Sequence, residues 1–398
     1  SERIWYMKIS GIVCEYNPFH NGHRYHIEKT RENGATHIVS VMSGNFVQRG
    51  EPAIADKFSR AKAAVKGGAD LVIEIPAPYV LSSAEYYARG AAFLLDALGC
   101  VDEISFGSEC GDISLLKESA EAADRYSDCF ETRKLVKSGL SFPDALNRVI
   151  RENCGKTVAD VLMNPNNILA SEYIKALSSL NSTIKPYTVC RKNAGHDTNI
   201  VCDEFASASC IRTMINDGQD INGVVPDYTN DLVNGLSGNI ASVSALERVI
   251  LYKLRTASLN EIKNLPDVGQ GLEYRIKEAA SGNSIDEVLS KIKTKRYTMA
   301  RIKRIIMCML IGIKKGDMDN LPPYGRILAM NKRGAEILAQ AKSKKRIPVD
   351  TSLAKLRDID DVCRRFAEIE SNASEVYALA CRDIGFAGTE FTAKIGIT

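Results

Sequence analysis

Apolar residues fall into two kinds of run along the chain. Short stretches rich in apolar residues recur at 8–14 (KISGIVC), 36–42 (THIVSVM) and 70–75 (DLVIEI), with a shorter, more polar one at 102–107 (DEISFG). Their length and β-branched content predict strands buried on both faces. Between them lie HRYHIEKTREN, ended by Gly34, then DKFSRAKAAVKGG and SAEYYARGAAFLLDALG, in which apolar positions return every three or four residues. Those segments predict helices. Strands alternating with helices predict an α/β domain with a Rossmann-like parallel sheet covered on both faces, whose ligands bind beyond the carboxyl ends of the strands.

The pattern continues through a helical stretch of less clear order over 112–160. NPNNILASEYIKAL (164–177) predicts a helix started at Pro165, IKPYTVCR (184–191) another strand of the same sheet, and SASCIRTMI (207–215) a helix opened by serines. The α/β domain is therefore expected over 7–220. From 221 to 398 the pattern is mainly helical, with its clearest amphipathic segment at 243–257, although GRILAMNKRGAEILAQAKSKKRIPV reads strand, helix, strand. Residues 1–6 precede the first methionine, Met7, and lack the basic and apolar regions of a signal peptide. They read as an upstream extension or expression remnant.

Composition narrows the class. A 398-residue chain that is 45% hydrophobic and 25% charged is ordinary for a soluble protein of two or three domains. The longest apolar run, IIMCMLIGI from Ile305, is about half the roughly 20 residues a membrane helix needs, so no membrane association is expected. Eleven cysteines without a CxxC pair fit neither a zinc ribbon nor a secreted disulfide framework; reduced thiols and a cytoplasmic setting fit better. The net charge of +3 is unevenly spread: Lys291–Arg346 carries sixteen Lys and Arg against three Asp and Glu, leaving −10 for the remainder. That window reads either as a polyanion surface or as a solubilising helical face. Tyr297, within KTKRYTMARIKR, adds an aromatic to the first reading.

The candidate chemistry concentrates in EYNPFHNGHRYH (15–26), which holds three of the five histidines and directly follows the first strand. A metal site is one reading. On a helix, however, His20, His23 and His26 would diverge by roughly 240° in projection, Asn21 and Gly22 favour a tight turn across the first two, and only Glu15 lies near as a further ligand. Hydrogen-bonded core histidines suit His26 and His37. For His20 and His23, spaced HxGH between a strand and a helix, a phosphate cradle fits: the helix start leaves N–H groups unpaired, and two imidazoles flanking a glycine can donate to the same anion.

NPFHNGH after a first strand resembles the HxGH signature of the class I nucleotidyltransferase superfamily. SASCIR (Ser207–Arg212) resembles its second signature, departing from it at Ala208, where serine is common. GIVCEYNPFHNGHRYHI, VMSGNFVQRGEPAIADKFSRAKAA, SFGSE, NNILASEYI and KRYTMARIKR together resemble the bacterial tRNA(Met) cytidine acetate ligase family over nearly the whole chain after Met7. The resemblance implies that acetate and ATP give acetyl-adenylate and pyrophosphate. The acetyl group then passes to N4 of the wobble cytidine of elongator tRNA(Met), giving N4-acetylcytidine.

It also implies a set of roles. The ATP loop would comprise Val13, Cys14, Glu15, Tyr16, Asn17, Pro18, Phe19, His20, Asn21, Gly22, His23, Arg24, Tyr25 and His26, with His20 and His23 as catalytic phosphate donors. Gly107, Asn167 and Arg191 would add nucleotide contacts, as would Ser207, Ser209 and Arg212 from the second signature; Gly107 reads equally as an ordinary strand-end turn. Gln48 and Arg49, in the loop after the second strand, are placed to reach acetate or the α-phosphate, and Asp56 and Lys57 are weaker candidates beside them. Mg²⁺ would accompany ATP on phosphate oxygens and water, without a dedicated ligand set. Lys293, Lys295, Arg296, Arg301 and Arg304 are the expected RNA contacts. Two rivals remain: a small-molecule adenylyltransferase of cofactor biosynthesis, and a non-catalytic, nucleotide-regulated RNA-binding protein.

Overall fold

The computed structural model describes residues 7–191, 205–269 and 271–397; the extension expected at 1–6 lies outside them. Ten strands are present: β1 (Ile9–Cys14), β2 (His37–Ser43), β3 (Phe46–Val47), β4 (Glu51–Pro52), β5 (Leu71–Ile75), β6 (Glu103–Ser108), β7 (Lys185–Cys190), β8 (Gly325–Met330), β9 (Val349–Asp350) and β10 (Gly396–Ile397). Eight form one sheet in the order β10-β8-β5-β2-β1-β6-β7, with β9 also on β8. β2, β5 and β6 are buried along almost their whole length, as a parallel sheet covered on both faces requires. The crossover helices are α1 (Asn21–Glu32), α2 (Lys57–Lys66), the short α3 (Ala77–Val80) and α4 (Ala84–Ala97).

The chain runs outward from β1 through β2 to β5 on one side, then returns to place β6 and β7 on the other. The strand order therefore reverses between β1 and β6, where an open α/β sheet gathers its ligand-binding loops. β8 departs from this pattern: it runs antiparallel to β5. The strand, helix and strand read at 325–349 are thus real but are not separate from the first half, because they extend its sheet. The mainly helical region lies between β7 and β8.

That region has its own core, in which Leu246, Ile250, Ile262, Ile276, Val288, Ile305 and Ile311 are buried. Phe46 and Leu81, from the sheet half, belong to the same core. The β3–β4 hairpin is thus anchored in helical packing rather than projecting into solvent. A second junction is ionic. Lys57 Nζ lies 2.5 Å from Glu74 and 2.6 Å from Glu390, both buried, and Arg326 also pairs with Glu390. Glu370 completes the cluster. Burial, then the neighbouring Glu74, pushes its carboxyl up to about 8. One proton shared in this way relieves the excess of three carboxylates over two cations.

Candidate active site

α1 starts at Asn21, earlier than the tight turn expected across Asn21 and Gly22. His20 is its N-cap, with extended backbone (φ −136°, ψ 174°). The Gly22 N–H donates to His20 Nδ1 at 3.0 Å, and the His20 N–H donates to His23 Nδ1 at 3.2 Å. The HxGH spacing is therefore a reciprocal capping arrangement, with imidazoles in place of the usual hydroxyl and carboxylate. Its consequence is chemical. Each Nδ1 accepts a backbone hydrogen bond, so in the neutral ring the proton must sit on Nε2. The two rings stack 3.7 Å apart and so offer paired Nε2–H donors. Gly22 is required here because a Cβ would lie 2.9 Å from His20 Cε1.

Both rings are held neutral. Burial, then Arg191 and Arg212, lowers the His20 pKa to about 3, and burial, then His20, holds His23 well below the usual imidazole range. His26, hydrogen-bonded to Ser105 Oγ at 2.9 Å, is lowered to about 4 by burial and then Arg191.

The capped helix start opens onto a cavity of roughly 500 Å³ at the β1/β6 switch point. Among the expected site residues, Val13, Cys14, Glu15, Tyr16, Asn17, His20, Gly22, His23, Tyr25, His26, Gln48, Arg49, Gly107, Arg191 and Arg212 line it. Pro18, Phe19, Asn21, Arg24, Asn167, Ser207 and Ser209 do not. Phe19 is buried in the hydrophobic core beside Tyr16. Arg24 is exposed, 3.8 Å from Glu28. Asn21 donates to Gly223 O, and Asn167 Oδ1 accepts from the Glu109 and Cys110 N–H groups. Ser207 Oγ caps the helix Ala208–Asn216 through the Cys210 N–H and meets Ser209 Oγ at 2.9 Å. That capped helix carries Arg212, which donates to Asn17 O at 2.9 Å and so brings the second motif against the histidine loop.

On the β2 side the hairpin delivers Gln48 and Arg49 to the cavity. Gln48 N–H donates to Glu15 Oε1 at 2.7 Å, and burial raises the Glu15 carboxyl against the lowering effect of that bond and of Arg212, Arg60 and Arg49. Arg60 was not anticipated. Fully buried, it donates to the carbonyls of Glu15, Ser43, Gly44 and Ala55, tying the ends of β1 and β2 together. Asp56 and Lys57 are used elsewhere: Asp56 caps α2 through the Phe58 and Ser59 N–H groups, and Lys57 is spent in the buried cluster. The cavity wall further includes Tyr87, Phe106 and Tyr173, large side chains to which no local motif pointed.

The basic window divides. Lys293, Lys295 and Arg296 are exposed, whereas Arg301 donates to Asp267 O at 2.6 Å over the Tyr297 ring. Arg304 is buried and turns inward to Gln48 O at 3.3 Å; it is not presented to a ligand in solvent, because it backs the hairpin. No group of three or more His, Cys, Asp or Glu able to hold a metal occurs among the described residues. Nor is any helix among them long and apolar enough to cross a membrane.

Comparison with known proteins gives a consistent result. Residues 7–388 match the family described as HIGH Nucleotidyl Transferase. The tRNA(Met) cytidine acetate ligase of Acetivibrio thermocellus is 36% identical over 98% of this chain and 99% of its own length. That of Clostridium novyi is 39% identical over 88% and 91%. Among solved structures, Thermotoga maritima TmcAL in its apo form superposes with a TM-score of 0.91 at 29% identity, over 98% of this chain and 99% of that one. The same protein bound with alpha-thio ATP gives 0.88 at 28%, with the same coverage.

Proposed function

The chain belongs to the tRNA(Met) cytidine acetate ligase family of HIGH nucleotidyl transferases, and from that premise we propose that it joins acetate to ATP and passes the acetyl group to N4 of the wobble cytidine of elongator tRNA(Met). The products are pyrophosphate, AMP and N4-acetylcytidine. The observation that carries this reading is the pair of Nε2–H donors on His20 and His23, fixed by backbone hydrogen bonds at the start of α1. Around the same cavity stand Arg49, Arg191 and Arg212.

In the first step an acetate oxygen attacks the α-phosphorus and the bond to the β-phosphate breaks. Acetate is a weak nucleophile facing an anionic target, so the rate depends on alignment and on neutralising the departing pyrophosphate. Neutral imidazoles whose Nδ1 atoms accept backbone N–H groups turn their Nε2–H donors to phosphate oxygens. Their donors are pre-set, so no reorganisation accompanies the charge shift. Arg191 and Arg212 supply guanidinium forks for the same anion. Mg²⁺ entering with the triphosphate would screen its charge, held by phosphate oxygens and water.

The second step needs a base brought to the acyl group. An anticodon-loop base is already single-stranded and can be splayed into a pocket at modest cost. Lys293, Lys295 and Arg296 are the exposed cations that would hold the RNA backbone. Arg301 lies over the Tyr297 ring beside that segment, and Arg304 backs the hairpin.

The test is transfer of labelled acetate to elongator tRNA(Met) in the presence of ATP, by the wild-type protein and by His23→Ala. Label in the wobble cytidine that the substitution abolishes is the expected result. ATP–pyrophosphate exchange that ignores acetate would refute the reading and favour a different acid.

A further inference from the structure

Glu15 is the only carboxylate among the described residues lining a cavity otherwise furnished for anions. Arg212, Arg60 and Arg49 offset its charge, but a carboxylate that reaches the cavity still has an oxygen to offer a hydrogen-bonding partner. The geometry narrows what that partner is. One oxygen, Oε1, is fixed by the Gln48 N–H at 2.7 Å, and the carboxylate has no other hydrogen bond among the described residues. It is therefore anchored at one oxygen and open at the other.

Its location matters as much. Glu15 faces the hairpin after β2, whereas Gly107, within β6, and Arg191, just after β7, lie on the opposite side of β1. The hairpin's outer side rests on the helix Met299–Ile311 of the basic window. A Cβ on Gly50 would lie 2.4 Å from the Arg304 backbone nitrogen, Glu51 pairs with Lys303 at 2.5 Å, and Arg304 donates to Gln48 O. Gln48 thus donates to Glu15 on its cavity side and accepts from the basic helix on the other. The carboxylate stands on the side of the cavity formed by the hairpin that packs on this helix, which the exposed cations Lys293, Lys295 and Arg296 precede in the chain.

We propose that Glu15 accepts the proton released by the cytidine amine during acetyl transfer, with Gln48 and Arg304 as the residues that position it. This rests on the ligase reading above. The N4 lone pair forms the new bond to the acetyl carbon, the bond from that carbon to the AMP phosphate oxygen breaks, and AMP leaves with the electron pair. The N4 proton passes to the open oxygen of Glu15. A delocalised exocyclic amine is a weak nucleophile, so removing its proton as the bond forms lowers the barrier; such positioned bases contribute about 10²–10⁴-fold.

The charged and titratable groups facing this carboxyl are Arg49 of the hairpin, Arg60 of α2, Arg212 of the helix Ala208–Asn216 and, on its own strand end, Cys14. Tyr87 and Tyr173 face it from the helices beyond. The experiment compares Glu15→Gln with wild type in two assays: acetate-dependent ATP–pyrophosphate exchange, and single-turnover transfer to tRNA from supplied acetyl-adenylate. Glutamine keeps an oxygen to accept the Gln48 N–H, and a melting curve checks the fold. Transfer is expected to fall at least 100-fold further than exchange, and the rise of wild-type transfer with pH should be absent in the variant.

Equal losses in both assays would overturn the proposal and place Glu15 in adenylation, on ribose hydroxyls or a phosphate-borne cation. Retention of both would also overturn it. Failure of the wild-type protein to exchange pyrophosphate with acetate would instead bring down the ligase reading itself, and this role with it.

Discussion

Replacing His20 by asparagine separates two roles that one side chain combines. As N-cap, His20 accepts the Gly22 N–H; as the proposed phosphate donor, it would offer Nε2–H. Asparagine is among the best N-cap residues and retains an acceptor near Cβ, so the helix start should survive with a change of less than about 1 kcal/mol. The Nε2–H donor is lost, and the asparagine amide N–H groups, bound directly to Cγ, stop short of its position. His23 is held by the backbone N–H of residue 20 rather than by its side chain, so only one of the two donors disappears. Removing a single preorganised donor from a developing anion costs about 10²–10³ in rate, or roughly 2.7–4 kcal/mol. His20→Ala should show the same rate loss plus about 1 kcal/mol of lost stability from the missing cap. Acetate-dependent ATP–pyrophosphate exchange at saturating ATP, with thermal melting of each variant, reads both quantities. Exchange by His20→Asn within threefold of wild type would refute the donor role and leave His20 as a cap alone.

Gly50→Ala strains a residue at φ +79° and drives its Cβ against the Arg304 backbone, so the hairpin must lift; acetylation should drop at least tenfold, as rates measured beside a circular-dichroism control would show. His26 remains neutral in the fold down to about 4, whereas the unfolded chain protonates near 6.5. Its stabilising contribution is therefore complete above pH 6.5 and is lost as pH falls toward 4. Urea unfolding across that range should show a steeper acid loss in wild type than in His26→Gln. Lys57→Met leaves Glu74 and Glu390 buried with one cation fewer, and should cost about 3–5 kcal/mol in denaturant unfolding. Alanine at Lys293, Lys295 or Arg296 should each reduce the slope of log affinity for tRNA against log salt by about 1, read by filter binding.

The parallel strands were legible because β1, β2 and β5 are largely apolar runs and β6 alternates Ile104 and Phe106 with polar residues, none with a competing helical period. Their boundaries fall within a residue or so of those read from the pattern. The β3–β4 hairpin was not, since two-residue strands among Ser, Asn, Gly and Gln carry no period. Nor does any local property of GRILAM show that it pairs antiparallel with a strand some 250 residues earlier. At the site, HxGH after a first strand marked the turn that lines the cavity, but the capping that fixes both tautomers depends on backbone geometry. Arg304 reads as one more lysine-like cation in a basic run, and only the fold turns it inward. Arg60, Tyr87 and Tyr173 share that limitation: each acts through long-range neighbours, so composition and spacing say nothing of them.

β8 beside β5 has a consequence for how the protein is made. Leu71, Val72 and Ile73 are wholly buried, yet on one edge they are covered by a strand that leaves the ribosome roughly 250 residues later. Until then, nascent chains carry an open apolar strand edge, a template for pairing with other chains. The same order has a second consequence: a product truncated before the basic helical region also lacks β8, so β5 keeps its open edge for good.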